Sequence, residues 1–224
     1  MLVSLLATRV KEPDTDNWGK FRHGLMYLKG TLYMKRHLST NYLKDITWWV
    51  DGSFGVHWDS KVHTGAMMSI GKGEIDNFAI KHKMDVGIST KSELVSIADV
   101  LGMILWCNYF MEAQGYPIEN NILYQDNKST ILLAKNGRMS TEKNRKHVKN
   151  RFFLITDKVA QGDLEIRHMW TKEIWADINT NQVQGQIFRI FRSELMGVAV
   201  DYDDDAERKC THHLLLPKVE AEMV

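Results

Sequence analysis

Between residues 46 and 126 the spacing of apolar residues changes its period twice, and that change limits the architectures open to the chain. ITWWVDGS (46–53) is rich in β-branched and aromatic residues and stops at Gly-Ser, so it reads as a strand. TGAMMSIG (64–71) and EIDNFAI (74–80) flank Gly71-Lys72-Gly73 and predict a hairpin. Leu94, Ile97, Ala98, Leu101 and Leu105 then recur at helical spacing. They predict a helix over 90–114, capped by Ser89 or Thr90 and ended by Gly115 and Pro117. NILYQD (121–126) is a short apolar strand that closes on a carboxylate. Antiparallel strands followed by alternating helix and strand predict an α/β fold, a mixed sheet with helices on its faces.

The flanking segments extend the pattern. Residues 14–37 carry a helical repeat in Trp18, Phe21, Leu25 and Leu28, with Asp14 or Asp16 as cap and Gly30 as stop. A helix through Ile131, Leu132 and Leu133 and another over 145–160 precede DLEIRHMW (163–170), which alternates with period two and reads as a strand. Thr171 begins a short helix. After Gly197 the pattern decays, and 198–224 reads as a poorly ordered tail.

With 44% of 224 residues hydrophobic, the chain can bury one sizeable core and is too apolar to be disordered throughout. No run approaches the ~18 apolar residues of a membrane span. The opening MLVSLLATRVKEPD reads as a buried segment rather than a signal peptide. Cys107 and Cys210 alone build neither a disulfide framework nor a zinc cluster, so a reducing intracellular setting is expected.

The net charge of +1 hides an uneven distribution. Residues 135–151 hold seven basic side chains against Glu142 alone, whereas 201–224 are acidic. A concentrated basic segment fits a phosphate-bearing partner, and fits a solvated loop face about as well.

Four acids stand where an inward charge is hard to justify structurally. Asp51 follows WWV in the first strand, Glu93 opens an apolar helix four residues before Ile97, Asp126 closes an apolar strand, and Asp177 lies in WADIN after the last strand. Taken singly, each has a bland reading as a strand end or a helix-dipole partner. Together they come from four elements that only the fold can gather. Clustered carboxylates repel and resist burial, and a hard divalent cation resolves that conflict. Two such ions ~4 Å apart can activate water and stabilise the leaving oxygen of a phosphodiester displacement.

In combination, TWWVDGS, HTGAMMSIGKG, STKSELV, YQDNKSTILLAKNG, RKHV, RFFLITDKV, ADINT and FRIFRSELMG resemble the ribonuclease H domain of copia-type LTR retrotransposon polyproteins, over roughly residues 46–197. Residues 1–45, with ATRVKEPDTDNWGKFRHGLMYLKGT, resemble the end of the preceding reverse transcriptase region. The resemblance implies a ribonuclease H-like fold, a five-stranded mixed sheet flanked by helices. It implies an endonuclease that cuts the RNA strand of RNA–DNA hybrids with two Mg²⁺ ions, for which Mn²⁺ is a possible substitute. The family's acids fall on Asp51, Glu93, Asp126 and Asp177, with Asp51 bridging both ions, Glu93 and Asp126 on one, and Asp177 on the other. The implied partners are the hybrid and the polymerase region of the same polyprotein. The implied setting is cytoplasmic, in a virus-like particle, or nuclear.

Asn127, Lys143, Arg145, Lys146 and His147 are the candidate nucleic-acid contacts. His147 matches a family histidine and has a second reading as a structural or surface histidine. Asn127 and Ser129 also have a capping role open to them, for which Ser129 is favoured. A helix capped by Thr171 places Glu173 and Asp177 at i and i+4 on one face. Asp177 is favoured as the ligand because ADI matches the family. Lys91 stands where the family has an acid, and Asn181 and Gln182 replace its lysine and proline. These departures leave open an alternative, a catalytically decayed fragment that folds and binds nucleic acid without cutting. A different two-metal enzyme on the same scaffold is a further rival.

Overall fold

The computed structural model describes residues 2–40, 42–53, 62–81, 89–136 and 146–199, without the side chains of 89 and 146–151. The elements are α1 (Leu2–Ala7), α2 (Thr15–Gly30), β1 (Ser39–Thr40), β2 (Asp45–Ser53), β3 (His63–Ser69), β4 (Gly71–Lys72), β5 (Asp76–Lys81) and α3 (Ser89–Ala113). They continue with β6 (Asn120–Gln125), α4 (Lys128–Asn136), α5 (Lys146–Gln161), β7 (Glu165–His168), a 3₁₀ turn (Thr171–Glu173), α6 (Asp177–Thr180) and α7 (Gly185–Met196). Five strands form one sheet in the order β5-β3-β2-β6-β7. The first three run antiparallel, while β6 and β7 join parallel to β2 and to each other. This five-stranded mixed sheet flanked by helices is the α/β arrangement that the sequence led us to expect.

Period-two geometry on β2 builds two cores from adjacent residues. Trp48 and Val50 face one side, where they pack with Ile97, Leu101 and Ile104 of α3, Ile155 of α5 and Ile166 of β7. Trp49 faces the other, with Met67, Ile174, Ala176 and Leu195. Buried Trp48 donates its indole N–H to Asn121 Oδ1 at 3.1 Å, and Trp49 stacks on Trp175 at 4.0 Å. The central strand is thereby clamped from both faces, which holds its end in place.

Several local expectations differ from what is observed. Ser89 and Thr90 lie inside α3, so the cap position falls outside the described residues. The β3–β5 hairpin forms, but Gly71-Lys72 pairs with Ser39–Thr40 as a separate ribbon. The Ser69 hydroxyl holds that turn open, accepting from Gly71 N at 3.1 Å and donating to the Gly73 carbonyl at 2.7 Å. α1 buries no residue, because it lies on the outer side of α2 and β5; the expected buried N-terminal segment is corrected accordingly. The 24-residue stretch Thr90–Ala113 of α3 is, by length and composition, apolar enough to cross a membrane, which corrects the sequence expectation. Asp99 and Asn108 interrupt its apolar run without making the stretch polar. In this fold its Leu94, Ile97, Leu101 and Ile104 are core residues.

The segment before β2 is tied to the sheet's far corner. Arg36 pairs with Glu74 at 3.1 Å, His37 N–H donates to the Met196 carbonyl at 2.8 Å, and the His37 carbonyl rests against Gly73 and Gly197. Trp18, Phe21, Leu25 and Leu28 of α2 are exposed. The 198–224 tail expectation lies outside the described residues from position 200 onward.

Candidate metal centre

Asp51 sits inside β2 next to its C-terminal end, Glu93 in the second turn of α3, and Asp126 one residue beyond β6. β2 and β6 are parallel neighbours and α3 packs on β2, so the fold converges all three. Each offers one carboxylate oxygen, and these oxygens lie within 4.8 Å of one another. Asp51 and Glu93 are buried and Asp126 is half-buried. Asp177 opens α6, outside this group of three but near enough for its charge to act on Asp51.

Two glycines make the close approach. A Cβ on Gly52 would stand 2.6 Å from Ser96 Oγ and 3.1 Å from Glu93 Oε2, filling the cradle between strand and helix. Gly65 is the cross-strand partner of Asp51. A Cβ there would stand 2.7 Å from Thr180 Cγ2 and 2.8 Å from the Ala176 carbonyl, so only glycine lets α6 close onto the sheet.

Polar side chains then orient each acid. Buried Gln125 donates from Nε2 to Glu93 Oε2 at 3.0 Å, while its Oε1 accepts from Asp126 N. The Thr180 hydroxyl donates to Asp51 Oδ2, and the Thr171 hydroxyl donates to Asp126 Oδ2 at 2.7 Å. Asn181 Nδ2 donates to Asp177 Oδ1. Gln125, Thr180 and Gly65 were not singled out from the sequence, and Thr171 was read only as a helix cap. Only the position of Gln125 and Thr171 next to strand ends hinted at a role.

The electrostatics follow from the geometry. Burial, then the charge of Asp51, pushes the Glu93 carboxyl up. Burial pushes Asp51 up as well, helped by Asp177 and Asp126 and opposed by the Thr180 hydrogen bond. Asp177 is raised by burial and by Asp126, against the pull of Asn181. A set of hard oxygen donors that resist losing their protons together is what a divalent cation relieves. The donor chemistry and the Gly52 cradle therefore fit a metal ion.

Two local expectations around the site are corrected. Thr171 does not cap a continuous helix: Ile174 leaves the 3₁₀ turn in an extended conformation to bury its side chain in the second core, and α6 starts afresh. Glu173 and Asp177 are thus not i and i+4 of one helix, and Glu173 is exposed. Asn127 rather than Ser129 caps α4, with its Oδ1 accepting from Thr130 N at 3.1 Å. Lys143 and Arg145 lie outside the described residues, as do the side chains of Lys146 and His147, which fall at the start of α5.

The fold and the acidic centre define the class, an α/β chain with a five-stranded mixed sheet and carboxylates gathered at the end of its central strands. A curated retrotransposon relative points the same way as the motifs. The chain is 25% identical over 201 residues to the retrovirus-related Pol polyprotein from transposon RE2 of Arabidopsis thaliana, covering 86% of this chain. It spans only 13% of that polyprotein's length. Among solved structures, LC11-RNase H1 isolated from compost is similar at a TM-score of 0.46 and 12% identity, over 62% of this chain and 94% of that one. The ribonuclease H domain of PFV is similar at a TM-score of 0.39 and 15% identity, over 56% and 78%. No family model matches the chain.

Proposed function

We propose that the chain hydrolyses the RNA strand of RNA–DNA hybrids, as the ribonuclease H part of a retrotransposon reverse transcriptase polyprotein. In this reading residues 46–197 form the nuclease unit and 1–45 the end of the polymerase region. The observation that carries it is the convergence of Asp51, Glu93 and Asp126 from three elements to within 4.8 Å. Asp51, Glu93 and Asp126 would hold divalent ions, Mg²⁺ first, with Asp177 at the edge; a bound pair supplies an activated water and neutralises the departing oxygen.

The chain's own residues arrange that centre. Thr180 donates to one oxygen of Asp51, Gln125 to one of Glu93 and Thr171 to one of Asp126, so each carboxylate is held in a fixed orientation toward the others. Hybrid recognition rests on backbone shape and 2′-hydroxyls, with Asn127 beside the centre and the basic segment around Lys143, Arg145, Lys146 and His147 on phosphates. Weak sequence preference and strong salt dependence follow.

The second reading, a fold that binds without cutting, draws on Asn181, whose amide engages an oxygen of Asp177. The test is cleavage of labelled RNA–DNA hybrid across a Mg²⁺ titration, beside duplex DNA and an Asp51→Asn variant. Metal-dependent cleavage of the hybrid alone, lost in the variant, supports the first reading. Hybrid binding without cleavage supports the second, and cleavage of duplex DNA would favour a different two-metal enzyme.

A further inference from the structure

Trp170 is 68% exposed, although it lies one residue from Thr171, whose hydroxyl holds Asp126. The other exposed tryptophans among the described residues pair with phenylalanines, Trp18 with Phe21 and Trp106 with Phe110. Trp170 has different company. The Lys128 ammonium stands 5.7 Å from its ring centroid, and the His168 ring meets it edge-on at 5.5 Å. Its backbone is fixed, since its carbonyl accepts from Glu173 N at 2.8 Å.

A large flat apolar ring with an ammonium on it, beside a carboxylate centre, is an unusual surface to leave in water. It matches a polymer that alternates flat apolar rings with phosphates. An aromatic face packs on a sugar or base whatever the sequence, and a lysine beside it takes the adjacent phosphate. From β7 and the start of α4, His168 and Lys128 fix this patch next to Asp126 without using any acid of the centre.

We propose that Trp170 and Lys128 form a subsite for the nucleic-acid strand flanking the phosphate that is cut, with Trp170 packing on a sugar or base and Lys128 on the neighbouring phosphate. The proposal rests on the hybrid-nuclease reading and names a contact within it. Trp170 then acts on binding and not on the bond-breaking step.

The experiment measures binding of fluorescein-labelled RNA–DNA hybrid by anisotropy in an Asp51→Asn background with Mg²⁺, and steady-state cleavage by the otherwise unaltered chain. Trp170→Ala is expected to raise Kd and KM roughly tenfold, with kcat within about twofold and the salt dependence of binding unchanged. Trp170→Phe is expected to restore most of the loss. Lys128→Gln is expected to lower the salt slope by about one. An unchanged Kd and KM in Trp170→Ala, in a chain that cuts the hybrid, would overturn the subsite alone. So would a loss accompanied by a lowered Tm and not rescued by phenylalanine. A parent chain that neither binds nor cuts the hybrid would overturn the functional reading, and the subsite with it.

Discussion

Gln125 and Glu93 share a buried hydrogen bond, 3.0 Å from Nε2 to Oε2, through which β6 sets the orientation of an acid on α3. The same amide's Oε1 accepts from the N–H groups of Asp126 and Asn127 at 2.7 and 3.2 Å. One side chain therefore positions a carboxylate and the turn that carries the next one. Gln125→Leu strips these partners at nearly constant volume. Each buried group left alone costs about 1–3 kcal/mol, so a urea titration at unchanged m is expected to show roughly 2–4 kcal/mol of lost stability. Metal-dependent cleavage should fall about 10–100-fold. An unshifted urea midpoint would mean the amide is idle.

Gly65→Ala tests whether α6 must lie against the sheet. The added Cβ meets the Ala176 carbonyl at 2.8 Å, and backbone there yields poorly. The helix is expected to move outward, loosening the Thr180 hydroxyl from Asp51. Overpacking of this kind costs about 1–3 kcal/mol, which at this size lowers Tm by roughly 2–10 °C. Thermal scans with cleavage assays on the same samples check both effects, and a parental Tm with parental cleavage would refute the steric account.

The metal-free chain should lose stability as pH rises. Burial holds Asp51 up to about 6 and Glu93 up to about 9, so the folded state binds protons that the unfolded chain has released. Their favourable contribution is complete below the ordinary carboxylate range near about pH 4, and it is lost as pH climbs through the folded values. In EDTA, Tm is expected to fall roughly 5–10 °C between about pH 5 and 9, and Glu93→Gln should flatten that slope. Mg²⁺ should restore the alkaline side. A Tm that rises with pH in EDTA would contradict the assignment.

Asp177 and Glu173 separate cleanly in a metal titration. Asp177 is half-buried and electrically in touch with Asp51 and Asp126, while Glu173 is exposed. Asp177→Asn is expected to raise the Mg²⁺ concentration needed for half-maximal cleavage by about tenfold, and Glu173→Gln to leave it within about twofold. A defect confined to Glu173→Gln would reverse their roles.

The sheet and its helices were legible because period two and period 3.6 are properties of neighbouring residues, as Trp48/Trp49 and Leu94/Ile97/Leu101 illustrate. The acids were legible as single positions at strand ends and at the start of a helix. What supports them was not. Gln125 and Thr180 meet their partners across 32 and 129 residues, and beyond the place of Gln125 at a strand end nothing local marks an amide or hydroxyl for such a task. Gly65 reads as a weak spot in a strand until α6 is seen above it. The continuous helix expected after Thr171 failed because Ile174 gains more from the second core than from another helical turn.

The tie between the His37 segment and the Gly73 and Gly197 corner also sets a path for mechanical load. A pull on the chain ahead of Ser39 is borne by the Arg36–Glu74 pair, the His37–Met196 hydrogen bond and the β1–β4 ribbon. These anchors lie on β4, at the turn leading into β5 and at the end of α7, none of them on the strand that carries Asp51. Load on this segment is therefore shared with β4, the turn into β5 and α7 instead of passing along the backbone alone into β2.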